Sequence, residues 1–466
     1  MNNDPKTHIN ELEALFDRFQ SHSSQVLNGM GNRATSIAPK QAQAVTLPQS
    51  GQDLGDVFDE FLRDIDPHMC ASAGPRYFGF VTGGTSPAAI LGDWLTTLYD
   101  PNPQSNSMEG DVSAFIEHEA MAMLRSLLNL EDDYVGGFVS GATMANFTCL
   151  AVAREWAGKQ KGHDTGRNGI GPKIRILSAT PHSSAVKALS MLGLGRDCVI
   201  AVPTLPGREA MDCTALEKLL ERDTDTPTIL ISSAGTVNSG DFDDMKVITA
   251  LQKRFDFWWH VDGAFGAFAA SVPGLSHLVD GWEAADSITV DGHKWLNVPY
   301  DNGFYFIKKA HSTLQMNCFQ NANAPYLGER LENFSYSNFG PENSRRLRAL
   351  PVWFALKTYG AEGFQKLFER NIAQAQKLGA LIEASEDFEL LAPVRLNIVA
   401  FALKNEALQS DFTKSLIATR RVFMTPTKIF GRTATRAALV NWQTRDEDID
   451  ISWAEMQRAL REVTRL

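Results

Sequence analysis

Cysteine is scarce in this chain and nowhere clustered. Cys70, Cys149, Cys198, Cys213 and Cys318 are the only five among 466 residues. They form no CxxC pair and their number is odd, which suits free thiols in a reducing compartment rather than a disulfide framework. Positive charge is also short. Lys and Arg total 44 against 55 Asp and Glu, a formal charge of −11, so the basic stripe that phosphate neutralisation requires is missing and nucleic acid is not an expected partner. No apolar run reaches the eighteen residues of a membrane span, and the segment MNNDPKTHINELEALFDRFQ lacks the basic start and continuous apolar stretch of a secretory leader. The expectation is a soluble, cytoplasmic protein with no membrane partner. Clustered histidines are absent as well, so no metal is expected.

What is present is an ordinary globular mix, 44% hydrophobic and 21% charged, in a chain long enough for a large domain with one or two smaller ones. Ile9, Leu12, Leu15, Phe16 and Phe19 recur at helical spacing, so an N-terminal helix has an apolar face to cover, on its own domain or on a second subunit. Residues 36–55, rich in Ser, Gln, Pro and Gly, read as an extended linker. From Tyr134 to about Gly303 and just beyond, seven apolar runs alternate with helical stretches: YVGGFVS, KIRILSA, CVIAVP, TILISSA, FWWHVDGA, SITVDG and FYFIKK. Strands apolar on both faces and separated by helices predict an α/β domain with a largely parallel, seven-stranded sheet. After RALPVWFALKTYG, alternating runs at NIVAFAL and RAALVNW precede a last helix, which predicts a small C-terminal α+β domain. Thr444 and Glu447 fit a capping box for that helix, with Asp446 and Asp448 in its first turn. The expected division is an N-terminal helical segment and linker over 1–75, a large domain over 76–350 and the small domain over 351–466.

Open parallel sheets bind ligands at the carboxyl ends of their strands, and four places there carry candidate chemistry. Ser140, Gly141, Ala142 and Thr143 follow a buried run and open a helix, a cup for an anion or a plain capped turn. Their spacing is not that of a nucleoside-triphosphate loop. Asp262 ends FWWHVD before Gly263, Ala264 and Gly266. A carboxylate there calls for a cation or several donors, with space beside it for a flat ring; a turn cap and a metal ligand with His260 are the alternatives. Lys294, in DGHKWL beside His293, is placed to be desolvated and to form an imine with an aldehyde, or is a surface lysine. His182, before SSAVKAL, can stack on a planar group, move protons, or hold a turn.

Taken in order, the small-residue turn, His182, Asp262 and the DGHKWL lysine resemble the group II pyridoxal 5′-phosphate-dependent amino-acid decarboxylases, of fold type I, the aspartate-aminotransferase-like architecture; the aromatic-L-amino-acid decarboxylases are the branch resembled. The resemblance runs from about Pro75 to Asn441 and takes in PRYFGFVTGG, AGTVNSGDFD and ENSRRLRALPVW. It implies that Lys294 holds pyridoxal 5′-phosphate as an imine and that Asp262 pairs with the ring nitrogen. His182 and Ala264 would lie on the two ring faces, Ser140, Gly141, Ala142 and Thr143 at the phosphate, Thr236 near the phenolate side and His293 beside the imine. It also implies a homodimer.

The same resemblance implies decarboxylation of an L-amino acid to its amine, through an imine with the substrate, and a loop tyrosine that returns the proton. Counting back from Arg345 and Arg346 places Tyr336 in that role, with Tyr326 as the alternative. Phe78, Phe80 and Thr82 fall where the family lines its substrate pocket, which suits an aromatic or apolar side chain. Arg436 and Asn441 lie in the segment the small domain contributes. The rival readings are a carbon–carbon lyase or an aminotransferase on the same cofactor, and a non-catalytic member that keeps the fold.

Overall fold

The computed structural model describes residues 5–41, 44–103, 111–321 and 335–465. Its strands, in chain order, are β1 (Tyr77–Phe78), β2 (Tyr134–Val139), β3 (Arg175–Ser178), β4 (Val199–Ala201), β5 (Thr228–Ser233), β6 (Trp258–Asp262), β7 (Ser287–Asp291), β8 (Gly303–Lys308), β9 (Phe388–Leu390), β10 (Ile398–Leu403), β11 (Phe423–Ile429) and β12 (Arg432–Ala438). Each of the seven predicted runs is a strand of one sheet, in the order β2-β8-β7-β6-β5-β3-β4. Strands β3 to β7 pair in parallel, and β8 runs antiparallel between β2 and β7.

Every residue of β5, β6 and β7 is buried, because helices cover both faces. Alternation along the strands divides two cores. Ile229, Ile231 and Trp258 pack with helix Ala142–Lys159 on one side, while Leu230, Trp259 and Val261 pack on the other with residues of helices Ser113–Leu127 and Ala349–Glu383.

The second sheet has the order β1-β11-β12-β10-β9, antiparallel except for the parallel pair β1 and β11. Strand β1, expected in the large domain, therefore belongs to the small sheet, with Tyr77 opposite Phe423. Helix Ala349–Glu383 links the two cores, its first half staying with the large one although the small domain was expected from residue 351: Val352, Phe364 and Phe368 pack in the large core, Ala375, Leu378 and Ile382 in the small one. It bends at Gly360, whose φ of 61° a glycine adopts at little cost.

The cap of the last helix, Asp446–Thr464, differs from expectation. Asp448 accepts from the Arg445 N–H at 3.0 Å, and the Thr444 hydroxyl turns away to donate to the Pro75 carbonyl. At the other end, helix Ile9–Gly29 buries none of its residues in this chain, and Leu12, Phe16 and Phe19 stay exposed. Among the described residues no helix is long and apolar enough to cross a membrane.

Candidate active site

Three parallel strands end side by side in the middle of the large sheet. Register places Ser233 of β5 opposite Asp262 of β6, and Asp262 opposite Thr289 of β7. Beyond these ends lies a cavity of about 220 Å³ whose lining includes His182, Glu209, Thr236, Asp262, Ala264 and Lys294. Five of those six were expected from sequence, at positions scattered over more than a hundred residues of chain.

Asp262 is buried, and its hydrogen-bond partners carry no charge. Oδ2 accepts from Asn146 Nδ2 at 3.2 Å and Oδ1 from the Ala264 N–H at 3.2 Å. A buried carboxylate held by neutral donors alone is suited to a cation arriving from the cavity. Lys294 stands 2.7 Å from Asp291 Oδ2, with the Phe265 ring centroid 5.9 Å from Nζ. Asp291 ends β7, and its other oxygen accepts from the Ala142 N–H at 2.5 Å. The carboxylate of Asp291 thus ties the lysine to the opening turn of helix Ala142–Lys159.

Ser140, Gly141, Ala142 and Thr143 form that turn, joined to the cavity through Asp291 rather than lining it. A Cβ at Gly141 would lie 2.9 Å from His293 Cε1, and the Gly303 backbone presses on the same glycine. The approach is closed to any larger residue. His293 accepts at Nδ1 from the Asn302 N–H at 3.1 Å and stacks on Tyr300 with centroids 4.2 Å apart. Burial lowers its pKa, so the ring is neutral near pH 7, with its remaining proton on Nε2.

His182 caps helix Ser183–Met191. Its Nδ1 accepts from the Ser184 N–H at 3.2 Å and lies 2.7 Å from Ser184 Oγ. Desolvation pulls its pKa down, against the nearby Asp262, so it too is neutral, with Nε2 as the protonated nitrogen. Thr236 lines the cavity, yet its hydroxyl is turned into the wall. It donates to Glu209 Oε2 at 2.6 Å and accepts from the Asp241 N–H at 3.0 Å. The phenolate contact that the resemblance implied for Thr236 would therefore compete with Glu209 for its one proton.

Phe78, Phe80, Thr82 and Tyr336 do not line this cavity. Phe78 is core of the small domain, whereas Phe80 is 60% exposed, stacks on Phe423 and accepts at its carbonyl from Arg436. Tyr336 is buried elsewhere, beneath the Arg345 guanidinium 4.9 Å from its ring centroid, in a cluster with Phe138 and Tyr305. Arg345 is itself paired with buried Glu117 at 2.8 Å. The count back from the two arginines thus leads to a packed tyrosine; the alternative, Tyr326, lies outside the described residues. Arg436 is buried and donates to the carbonyls of Phe80 and Val237, while its Nε has no partner among the described residues. Desolvation lowers its pKa to about 10. The amide of Asn441 is occupied by the carbonyls of Ala73 and Gly74 and by the Gln443 N–H.

Asn146, Glu209 and Asp291 were not singled out from sequence. Asp291 carried the signal used for Asp262, a carboxylate closing a β-like run; Asn146 and Glu209 lie inside helix and loop patterns with none.

These residues fit pyridoxal 5′-phosphate: a lysine for its aldehyde, a buried anion with uncharged neighbours for its ring nitrogen, and a glycine-walled helix start for its phosphate. The family model described as the pyridoxal-dependent decarboxylase conserved domain matches residues 38–404. An aromatic-L-amino-acid decarboxylase of Bacillus atrophaeus is 28% identical over 421 residues, covering 87% of this chain and 85% of that protein. A 3,4-dihydroxyphenylacetaldehyde synthase of Aedes aegypti is 26% identical over 434 residues, covering 88% and 81%. In fold, the Oryza sativa TDC structure with PLP and tryptamine superposes with a TM-score of 0.89 at 20% identity, over 99% of both chains. The chain belongs to the pyridoxal-dependent decarboxylase family and is a pyridoxal 5′-phosphate-dependent amino-acid decarboxylase of fold type I.

Proposed function

We propose that the substrate is an aromatic L-amino acid. The observation that carries this reading is Phe80, whose large ring is left uncovered and stacks on Phe423 with centroids 6.0 Å apart, and whose carbonyl is bridged by Arg436 to that of Val237 in the cavity wall. Offset aromatic pairs favour a third flat ring beside them, and the aromatic decarboxylase from Bacillus atrophaeus supports the same class.

The cofactor, when bound, supplies the electron sink that makes loss of carbon dioxide feasible. The chain supplies the rest. Lys294 would hold the cofactor's aldehyde carbon and Asp262 its ring nitrogen, with His182 and Ala264 on the two faces of the ring. Gly141 and Thr143, at the helix start, would receive the phosphate. With Nδ1 occupied by Ser184, His182 offers only Nε2–H, so in this reading it is a donor that orients the substrate carboxylate and not a base. Proton return to the substrate falls to Tyr326, since Tyr336 is packed beneath Arg345.

A second reading, an acidic amino acid, is favoured by the Nε of buried Arg436, which has no partner among the described residues and could take a side-chain carboxylate. A panel of aromatic and acidic amino acids, followed for carbon dioxide, amine and aldehyde, separates them. Amine from aromatic substrates is expected. Turnover confined to acidic ones, and lost in Arg436→Gln, would replace the first reading by the second.

The assembly we propose is a cytoplasmic homodimer. Leu12, Phe16 and Phe19 of the first helix continue into Trp94 and Leu98 of helix Pro87–Tyr99, an exposed apolar surface that a second copy would cover.

A further inference from the structure

Behind the cavity wall runs a line of buried side chains that none of these roles uses. Trp258 Nε1 donates to Ser287 Oγ at 3.0 Å, and Ser287 Oγ lies 2.9 Å from His260 Nδ1. His260 Nε2 is 2.8 Å from Asn146 Oδ1. The Asn146 amide nitrogen then meets two acceptors, Asp262 Oδ2 at 3.2 Å and Ser184 Oγ at 3.1 Å. Ser184 Oγ ends the line, 2.7 Å from His182 Nδ1. Asn146, His260 and Ser287 have no exposed surface at all.

The direction of every bond follows from the ends. An indole N–H can only donate and an ionised carboxylate can only accept. Facing Asp262, Asn146 must present its amino group, so its oxygen faces His260 and His260 carries its proton on Nε2. Burial pulls the His260 pKa down to about 4, leaving Nδ1 bare to accept from Ser287. The second proton on the Asn146 nitrogen reaches Ser184, whose own proton is then directed to His182 Nδ1.

We propose that Asn146 is a positioning residue that couples two members of the active site. One amide nitrogen steadies the Asp262 carboxylate for the cofactor's ring nitrogen and, through Ser184, fixes His182 as the tautomer with its proton on Nε2. Both N–H bonds lie in one plane, so the two acceptors are held in a fixed mutual geometry that neither a hydroxyl nor a carboxylate at this position can reproduce.

The coupling is tested on holoenzyme with Asn146→Ala, Asn146→Asp and Ser184→Ala. Asn146→Ala is expected to raise the Kd for pyridoxal 5′-phosphate at least tenfold, read from the absorbance of bound cofactor on dilution. The same variant should lower kcat at least tenfold, with KM changed less than threefold. Asn146→Asp sets a second carboxylate against Asp262 and should hold cofactor more weakly still. Ser184→Ala breaks only the His182 arm, so kcat should fall several-fold with Kd unchanged. A folded Asn146→Ala with wild-type Kd and kcat, altered only in melting temperature, overturns the proposal, as does Ser184→Ala raising Kd as far as Asn146→Ala. Should the Asn146 variants fail to fold, the ¹⁵N spectrum of histidine-labelled wild-type enzyme decides: a His260 proton on Nδ1 would turn the Asn146 oxygen toward Asp262 and refute the wiring, and one on Nε2 upholds it.

Discussion

Single side chains decide what this molecule can be. Lys294→Ala should abolish both the absorbance of the bound imine and all turnover, because Asp291, the residue that holds the lysine, offers no amine of its own. Retained turnover would show another lysine in that role. The two tyrosines separate next. In the presence of dioxygen as oxidant, Tyr326→Phe should divert product from amine toward aldehyde and ammonia, while Tyr336→Phe, a change inside a packed cluster with Arg345 and Tyr305, should lower stability by ~1 kcal/mol and leave the amine-to-aldehyde ratio alone. Equal ratios in both variants would remove Tyr326 from the mechanism. His260 carries a pH signature. Its native pKa is about 4 against an ordinary 6.5, so between those values the unfolded chain binds more protons than the native one. Stability contributed by this group therefore rises with pH across that window, is complete above it, and amounts to something on the order of 3 kcal/mol. Urea midpoints at pH 4.5 and 7.5 should differ more for wild type than for His260→Gln; identical differences would contradict the burial of a neutral ring. Lys294, Asp262 and His182 were legible from sequence because each ends a buried run with a group that cannot be buried idly. For Tyr336, spacing from Arg345 cannot report whether a ring faces a cavity or a core.

Among the elements, the close approach of backbone to backbone sets the tolerances. A Cβ on Gly83 would come within 1.9 Å of the Lys294 carbonyl oxygen, an overlap that only movement of the lysine segment can relieve. Gly83→Ala should cost about 1–3 kcal/mol and lower cofactor occupancy in the purified protein; full occupancy with unchanged kcat would show that the loop yields freely. Most strands of the large sheet could be read from sequence because both of their faces are covered and their residues are largely apolar, while the exposed edge strand β4 was read from its apolar run alone. Strands β9 and β11 could not. Phe423–Ile429 reads FMTPTKI, with a proline and a half-exposed face, and Phe388–Leu390 is three residues long. The cap at Asp448 was missed for a related reason: Thr444 has the right chemistry for the role, but tertiary structure gave it the Pro75 carbonyl instead.

For the whole molecule, the first helix is the part left unfinished by a single chain. Phe16 is 53% exposed and Trp94 43%, on a surface whose apolar area a second copy would remove from water at roughly 25 cal/mol per Å². Phe16→Asp with Leu12→Asp should convert a sedimenting dimer to monomer and reduce activity; an active wild-type monomer at micromolar concentration would dismiss the dimer. The helical periodicity here was plain in sequence, whereas which body it would cover was not, since an apolar stripe looks the same facing a core or a twin.

Strand β1 imposes an order on the making of the protein. Tyr77 and its pairing partner, Phe423, lie far apart in the chain, and the loop just after β1 carries Gly83, which seats the lysine segment. The nascent chain cannot finish that seat until β11 has been made. Vitamin capture then follows the synthesis of β11, and ribosome-bound fragments halted before it should remain colourless when supplied with the coenzyme.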